Sequence, residues 1–93
     1  MTDYRIFETD EFRRSLRKLD APQRSHVEIK LKRHVYPQLR AQPYVGPNIK
    51  KLRGYEPETW RYRLGQFRVF YGIDQRQRIV HILTVENRKD AYR

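Results

Sequence analysis

Hydrophobic positions along this chain follow two different periods, a helical one in the first half and a strand one in the second. Phe12, Leu16 and Leu19 fall at i, i+4 and i+7, and Val27, Leu31, Val35 and Leu39 recur every fourth residue. Each set makes one apolar stripe, which predicts two amphipathic helices. Thr9 stands where an N-cap belongs, and Asp10 and Glu11 suit the positive end of the helix that follows. Asp20-Ala21-Pro22 breaks and restarts the pattern, because proline fits a first helical turn better than an interior one. The two helices therefore form a hairpin, the second running from Pro22 to about Tyr36. Pro37 is expected to end it, with Leu39 in at most a short extra turn. Tyr4-Arg5-Ile6-Phe7 reads as a strand ahead of both helices.

After a loop at Arg40 to Asn48, marked by Pro43, Gly46 and Pro47, the period changes to two. Ile49 to Gly54 reads as a strand or strand edge, and Tyr55 to Thr59 as a connector. Trp60, Tyr62 and Leu64 alternate with Arg61 and Arg63. Beyond Gly65-Gln66, Phe67, Val69, Tyr71 and Ile73 alternate with Arg68, Phe70 and Gly72. A hairpin is predicted whose apolar side chains share one face, so that Arg61, Arg63 and Arg68 converge on the other. Asp74 to Gln77 forms the next turn. Ile79, Val80, Ile82, Leu83 and Val85 are apolar at both parities, the mark of a central strand rather than an edge.

Composition adds a strong charge bias to this picture. Twenty-one lysines and arginines against eleven acids give a net charge of +10 over 93 residues, a field that attracts polyanions. The length suits one domain, residues 1–93. There is no cysteine, which removes disulfides and thiolate chemistry and fits a cytoplasmic location. No apolar run approaches a membrane span, and the first residues lack the apolar core of a signal peptide. Membrane partners are not expected.

No catalytic triad order, paired-carboxylate motif, phosphate-cradling glycine loop or metal-ligand spacing stands out, and no cofactor or metal is expected. His26 and His34 lie two helical turns apart, too far for an i, i+4 metal pair, and read as surface or packing residues. His81 reads as a packed strand residue, and Glu56, Glu58 and Glu86 as isolated surface acids. What remains is a set of arginines, Arg61, Arg63, Arg68 and Arg88, with Tyr92 near the C-terminal end and further basic residues at Lys50, Lys51 and Arg53. Guanidinium forks bind phosphates, aromatic rings stack on unpaired bases, and clustered cations stabilise a pentacoordinate phosphate.

With these residues in their order (a strand, a helical hairpin, KLRG, WRYRLGQFRVFY, an apolar strand and NRKDAYR) the chain resembles the RelE/ParE superfamily of small toxins. The resemblance implies an α+β fold: an N-terminal strand, a two-helix hairpin, then a curved antiparallel sheet packed on the helices. It also implies a cognate acidic antitoxin that wraps the toxin in a toxin–antitoxin hetero-oligomer. RelE-like members cleave mRNA in the ribosomal A site, whereas ParE-like members inhibit DNA gyrase. The RelE-like pattern matches Arg61 and Arg63 before the turn, Arg68 after it, and Arg88 and Tyr92 in the tail. The implied activity is a ribosome-dependent mRNA endonuclease in which a ribose 2′-hydroxyl attacks the adjacent phosphate without a metal, with Arg61, Arg63, Arg68, Arg88 and Tyr92 as the catalytic set and Lys50, Lys51 and Arg53 binding RNA. A gyrase inhibitor and a non-enzymatic nucleic-acid-binding module are the alternatives. Two departures matter: typical members carry lysines where this chain has Arg61 and Arg63, and others a histidine where it has Asn87. Arginine keeps its proton to above about pH 12, which leaves water, ribosomal RNA or an unusual guanidinium to take the proton of the attacking hydroxyl.

Overall fold

Residues 3–88 are described by a computed structural model of the chain. Strand β1 (Arg5–Glu8) leads into α1 (Asp10–Arg17), whose first turn is closed by Thr9: its hydroxyl oxygen accepts the Phe12 N–H at 3.1 Å. Asp20 caps α2 (Ala21–Lys30) in the same way through Gln23 N–H at 2.8 Å. Both caps satisfy amide groups that no helical carbonyl can reach.

The second helix does not stop at Pro37. A π turn, Leu31–Val35, follows α2, and a further helix, α3 (Tyr36–Ala41), carries Pro37 in its first turn. In a regular helix the proline ring collides with the carbonyl four residues back. Here the turn before it is wider, with the Tyr36 N–H bonded to the Leu31 carbonyl five residues back. The widening also explains the apolar stripe. Twelve residues of ordinary helix, from Val27 to Leu39, would rotate the stripe off its face by about 120°. A π turn takes up about one extra residue, roughly 100° of that drift. Val27, Leu31, Val35 and Leu39 consequently all stay buried, none more than 2% exposed.

The rest of the chain builds a five-stranded sheet in the order β1-β5-β4-β3-β2, from β2 (Ile49–Lys51), β3 (Trp60–Leu64), β4 (Phe67–Asp74) and β5 (Ile79–Asn87). All pairings are antiparallel except that of β1, which runs parallel to β5. The α+β architecture is therefore the expected one, with a mixed rather than wholly antiparallel sheet. The last strand is central, as its two-sided apolar pattern predicts, between β1 and β4. The β3–β4 hairpin turns at Gly65, whose φ of 60° is the left-handed conformation glycine adopts without penalty.

One face of the sheet is covered by the helices. Trp60, Tyr62, Phe67, Val69, Tyr71, Val80, Ile82 and Val85 pack there against Phe12, Leu19, Val27, Leu31, Val35, Tyr36 and Leu39. Buried hydroxyls find partners, as they must in an apolar interior: Tyr71 donates to the Pro43 carbonyl at 2.8 Å, Tyr62 to Gln38 at 2.7 Å and Tyr36 to the Glu8 carboxylate at 2.7 Å. Burial, with the Glu8 carboxylate beside it, pushes the Tyr36 phenol far above its ordinary value. Among the described residues no helix is long and apolar enough to cross a membrane.

A bulge in β5 decides which side chains face away from the helices. Phe70 pairs with Thr84 but Tyr71 pairs with Ile82, so Leu83 is the extra residue. Before it, Val80 and Ile82 point to the core; after it, Val85 and Asn87 do, and Thr84 and Glu86 turn outward. Helix α1 holds the irregular backbone in place. The Thr9 hydroxyl donates to the Ile82 carbonyl at 2.7 Å, and the Ser15 hydroxyl oxygen accepts the Val85 N–H at 3.0 Å.

Candidate functional site

On the uncovered face the register lines side chains up in rows across the strands. Lys50, Arg61, Phe70 and Thr84 form one row, and Arg63, Arg68 and Glu86 the next. Neighbouring strands lie about 4.8 Å apart, so groups in a row stand within reach of one ligand. Arg61 and Arg68 are half-buried and Arg63 is exposed. The hairpin thus brings Arg61, Arg63 and Arg68 together, as alternation predicts, and adds Lys50 from β2. Arg88 follows directly on β5. Its backbone N–H donates to the Gln66 carbonyl at 2.6 Å, which ties the start of the C-terminal segment to the hairpin turn. Its side chain is exposed at the same end of the sheet as Arg63 and Arg68. Tyr92 lies outside the described residues.

The other basic candidates separate. Lys51 shares the face of Trp60, with its ammonium 5.6 Å from that ring and 2.8 Å from the Glu58 carboxylate. Arg53 stands in the turn after β2, on the rim of a concavity of about 610 Å³ that also holds Glu56 and Glu58. Neither belongs to the arginine rows. His26 and His34 are exposed, as expected of surface residues. His81 packs edge-on against Phe7, ring centroids 5.7 Å apart, in the row of Gly72.

Three residues of this face were not evident as site residues from the sequence. Phe70 sits in the row of Arg61, the only ring that β4 presents on that side. Tyr55, 54% exposed, reaches over the face from the connector. With Glu11, Thr59, Phe70, Leu83, Thr84 and Glu86 it lines a cavity of about 310 Å³. Glu86 is the third, a carboxylate across from Arg68. Strict alternation from Val80 and Ile82 would send Glu86 into the core. The signal that could have placed it is the change of parity in the apolar positions, 80, 82 and then 85.

A cationic face with an aromatic ring at its centre can grip a phosphate with several donors at once, present a ring to an unpaired base, and stabilise added negative charge at phosphorus. The arrangement suits a single-stranded polyanion better than a small apolar ligand.

Comparison with known proteins bears on the family and the fold. The family model described as the ParE toxin of the type II toxin-antitoxin system, parDE, matches residues 6–92. Among solved structures, a chain of the RelBE2 toxin–antitoxin complex of Mycobacterium tuberculosis is similar, with 29% identity and a TM-score of 0.72 over 92% of this chain and 99% of that one. A chain of the archaeal RelE–RelB complex of Pyrococcus horikoshii follows at 23% identity and a TM-score of 0.66, over 95% and 97%. A mutant of the E. coli toxin RelE in the free state has 20% identity and a TM-score of 0.65, over 99% and 90%. A sequence search of curated proteins found no significant match. The chain therefore belongs to the RelE/ParE superfamily of type II toxin–antitoxin toxins, matching the ParE toxin model over nearly its whole length.

Proposed function

We propose that this toxin is a ribosome-dependent mRNA endonuclease, with mRNA positioned in the ribosome as its substrate. The observation that carries the reading is the pair of rows on the open face, where Lys50, Arg61, Arg63 and Arg68 surround Phe70 and Arg88 is anchored at the hairpin turn. Arg61, Arg63 and Lys50 hold the backbone on either side of the scissile phosphate. Arg68 and Arg88 stabilise the phosphorane and the leaving oxygen, and Tyr92 orients a base. The ribose 2′-oxygen forms the new bond to phosphorus, giving a 2′,3′-cyclic phosphate and a free 5′-hydroxyl. An acidic antitoxin is the natural partner of a chain carrying +10, and similar structures are complexes with RelB antitoxins. The place of action is the cytoplasm, where ribosomes are.

The ParE family match favours a second reading, inhibition of DNA gyrase. In-vitro translation of a defined mRNA, followed by primer extension, decides between them. Stops within the A-site codon of ribosome-bound message, absent on naked RNA, are expected. Intact message with blocked supercoiling in a gyrase assay would establish the second reading instead.

A further inference from the structure

The arginines of the open face are poor proton acceptors, since a guanidinium stays charged at any physiological pH. Cleavage by a 2′-hydroxyl needs a group that takes its proton. The bulge in β5 supplies one to the site. Because Leu83 is the extra residue, Glu86 leaves the core parity and stands in the row of Arg63 and Arg68, directly across from Arg68. It is exposed, and among the described residues it makes no ion pair.

Other titratable groups on this face are worse placed. His81 is paired with Gly72, four residues along β4 from Arg68, or about 13 Å at strand rise, and its ring lies against Phe7. Glu11 lines two of the same concavities as Glu86 but comes from the first turn of α1, outside the arginine rows. Among the carboxylates and histidines of the described residues, Glu86 alone stands in the row of Arg63 and Arg68.

We infer that Glu86 is the general base of the reaction, the catalytic residue that accepts the 2′-hydroxyl proton of a ribonucleotide whose phosphate is held by Arg63 and Arg68. As the proton passes to the Glu86 carboxylate, the 2′-oxygen bonds to phosphorus. The P–O5′ bond then breaks, its electron pair stays on the 5′-oxygen, and water protonates that oxygen. Glu86 returns its proton to solvent. The bulge, braced by Ser15 at the Val85 N–H and by Thr9 at the Ile82 carbonyl, is what aims the carboxylate.

This inference rests on the endonuclease reading, and single-turnover cleavage on programmed ribosomes separates the two. Glu86→Gln is expected to slow cleavage about 10²–10⁴-fold, the usual contribution of a general base, while ribosome binding stays within about threefold. Glu86→Asp should recover part of the rate, and added formate or acetate should raise cleavage by Glu86→Ala in proportion to its concentration, which a structural role would not do. Glu11→Gln should cleave at the wild-type rate. Glu86→Gln cleaving as fast as wild type, or faster, overturns the assignment of Glu86 alone. A wild-type protein that cleaves nothing on the ribosome overturns the endonuclease reading and this inference with it.

Discussion

The two faces of the β3–β4 hairpin are built from alternate residues of the same ten positions, yet they are held to opposite requirements. Trp60, Tyr62, Phe67, Val69 and Tyr71 lie against the helices, none more than 5% exposed. Arg61, Arg63, Arg68 and Phe70 point away from them. Burial on one face supplies the stability, at about 25 cal/mol for each Å² of apolar surface removed from water. The other face keeps like charges close together, on strands that the covered side holds in register. Stability and chemistry are thus assigned by parity, and substitutions one residue apart should have effects of different kinds.

The largest effect is expected on the covered face. Tyr71 is fully buried and donates to the Pro43 carbonyl. Tyr71→Ala removes that ring and leaves the carbonyl without its donor, at a cost of about 3–5 kcal/mol. Chemical denaturation should show a lowered midpoint, and an unchanged midpoint would contradict the packing described. Arg68→Ala, three positions away on the opposite face, should cost less stability than that, about 1 kcal/mol. Its main effect should instead appear in cleavage, slowed about 10²–10³-fold, as when one donor to a developing oxyanion is lost. Loss of fold in Arg68→Ala, or cleavage at the wild-type rate, would break the division between the faces.

How far this division can be read from the sequence depends on how regular each element is. The hairpin is regular, so plain alternation assigns Arg61, Arg63 and Arg68 to one face and Tyr71 to the other. The two places where residue spacing misleads are both one-residue insertions. In the second helix, a stripe repeating every four residues looks like a helix that proline should end, but the π turn at Leu31–Val35 restores the stripe and carries the chain past Pro37 to Ala41. In β5, Leu83 shifts the parity and moves Glu86 from the core to the site. Each insertion is stabilised by partners distant in sequence: packing of the helix stripe on the sheet, and the hydroxyls of Thr9 and Ser15 on the bulge. Such partners exist only once the chain is folded. Spacing alone shows the departure, as a repeat of four or a jump from 82 to 85, without showing how it is resolved.

The smallest predicted effect tests the same division at the sheet edge, where it depends on a single residue of strand. Lys50 and Lys51 are adjacent and carry the same charge, so a purely electrostatic account treats them alike. Their registers differ: Lys50 pairs with Arg61 on the open face, and Lys51 pairs with Trp60 on the other and binds Glu58. A cation that contacts a single-stranded phosphate contributes about 0.7 to the slope of log affinity against log salt. Lys50→Gln should therefore reduce the salt slope of binding to single-stranded RNA by about that amount, whereas Lys51→Gln should leave it unchanged. Removing Lys51 costs at most about 1 kcal/mol of stability, since an exposed ion pair is worth little. Equal slopes for the two variants would show that RNA senses only the net charge and that the open face is not its track.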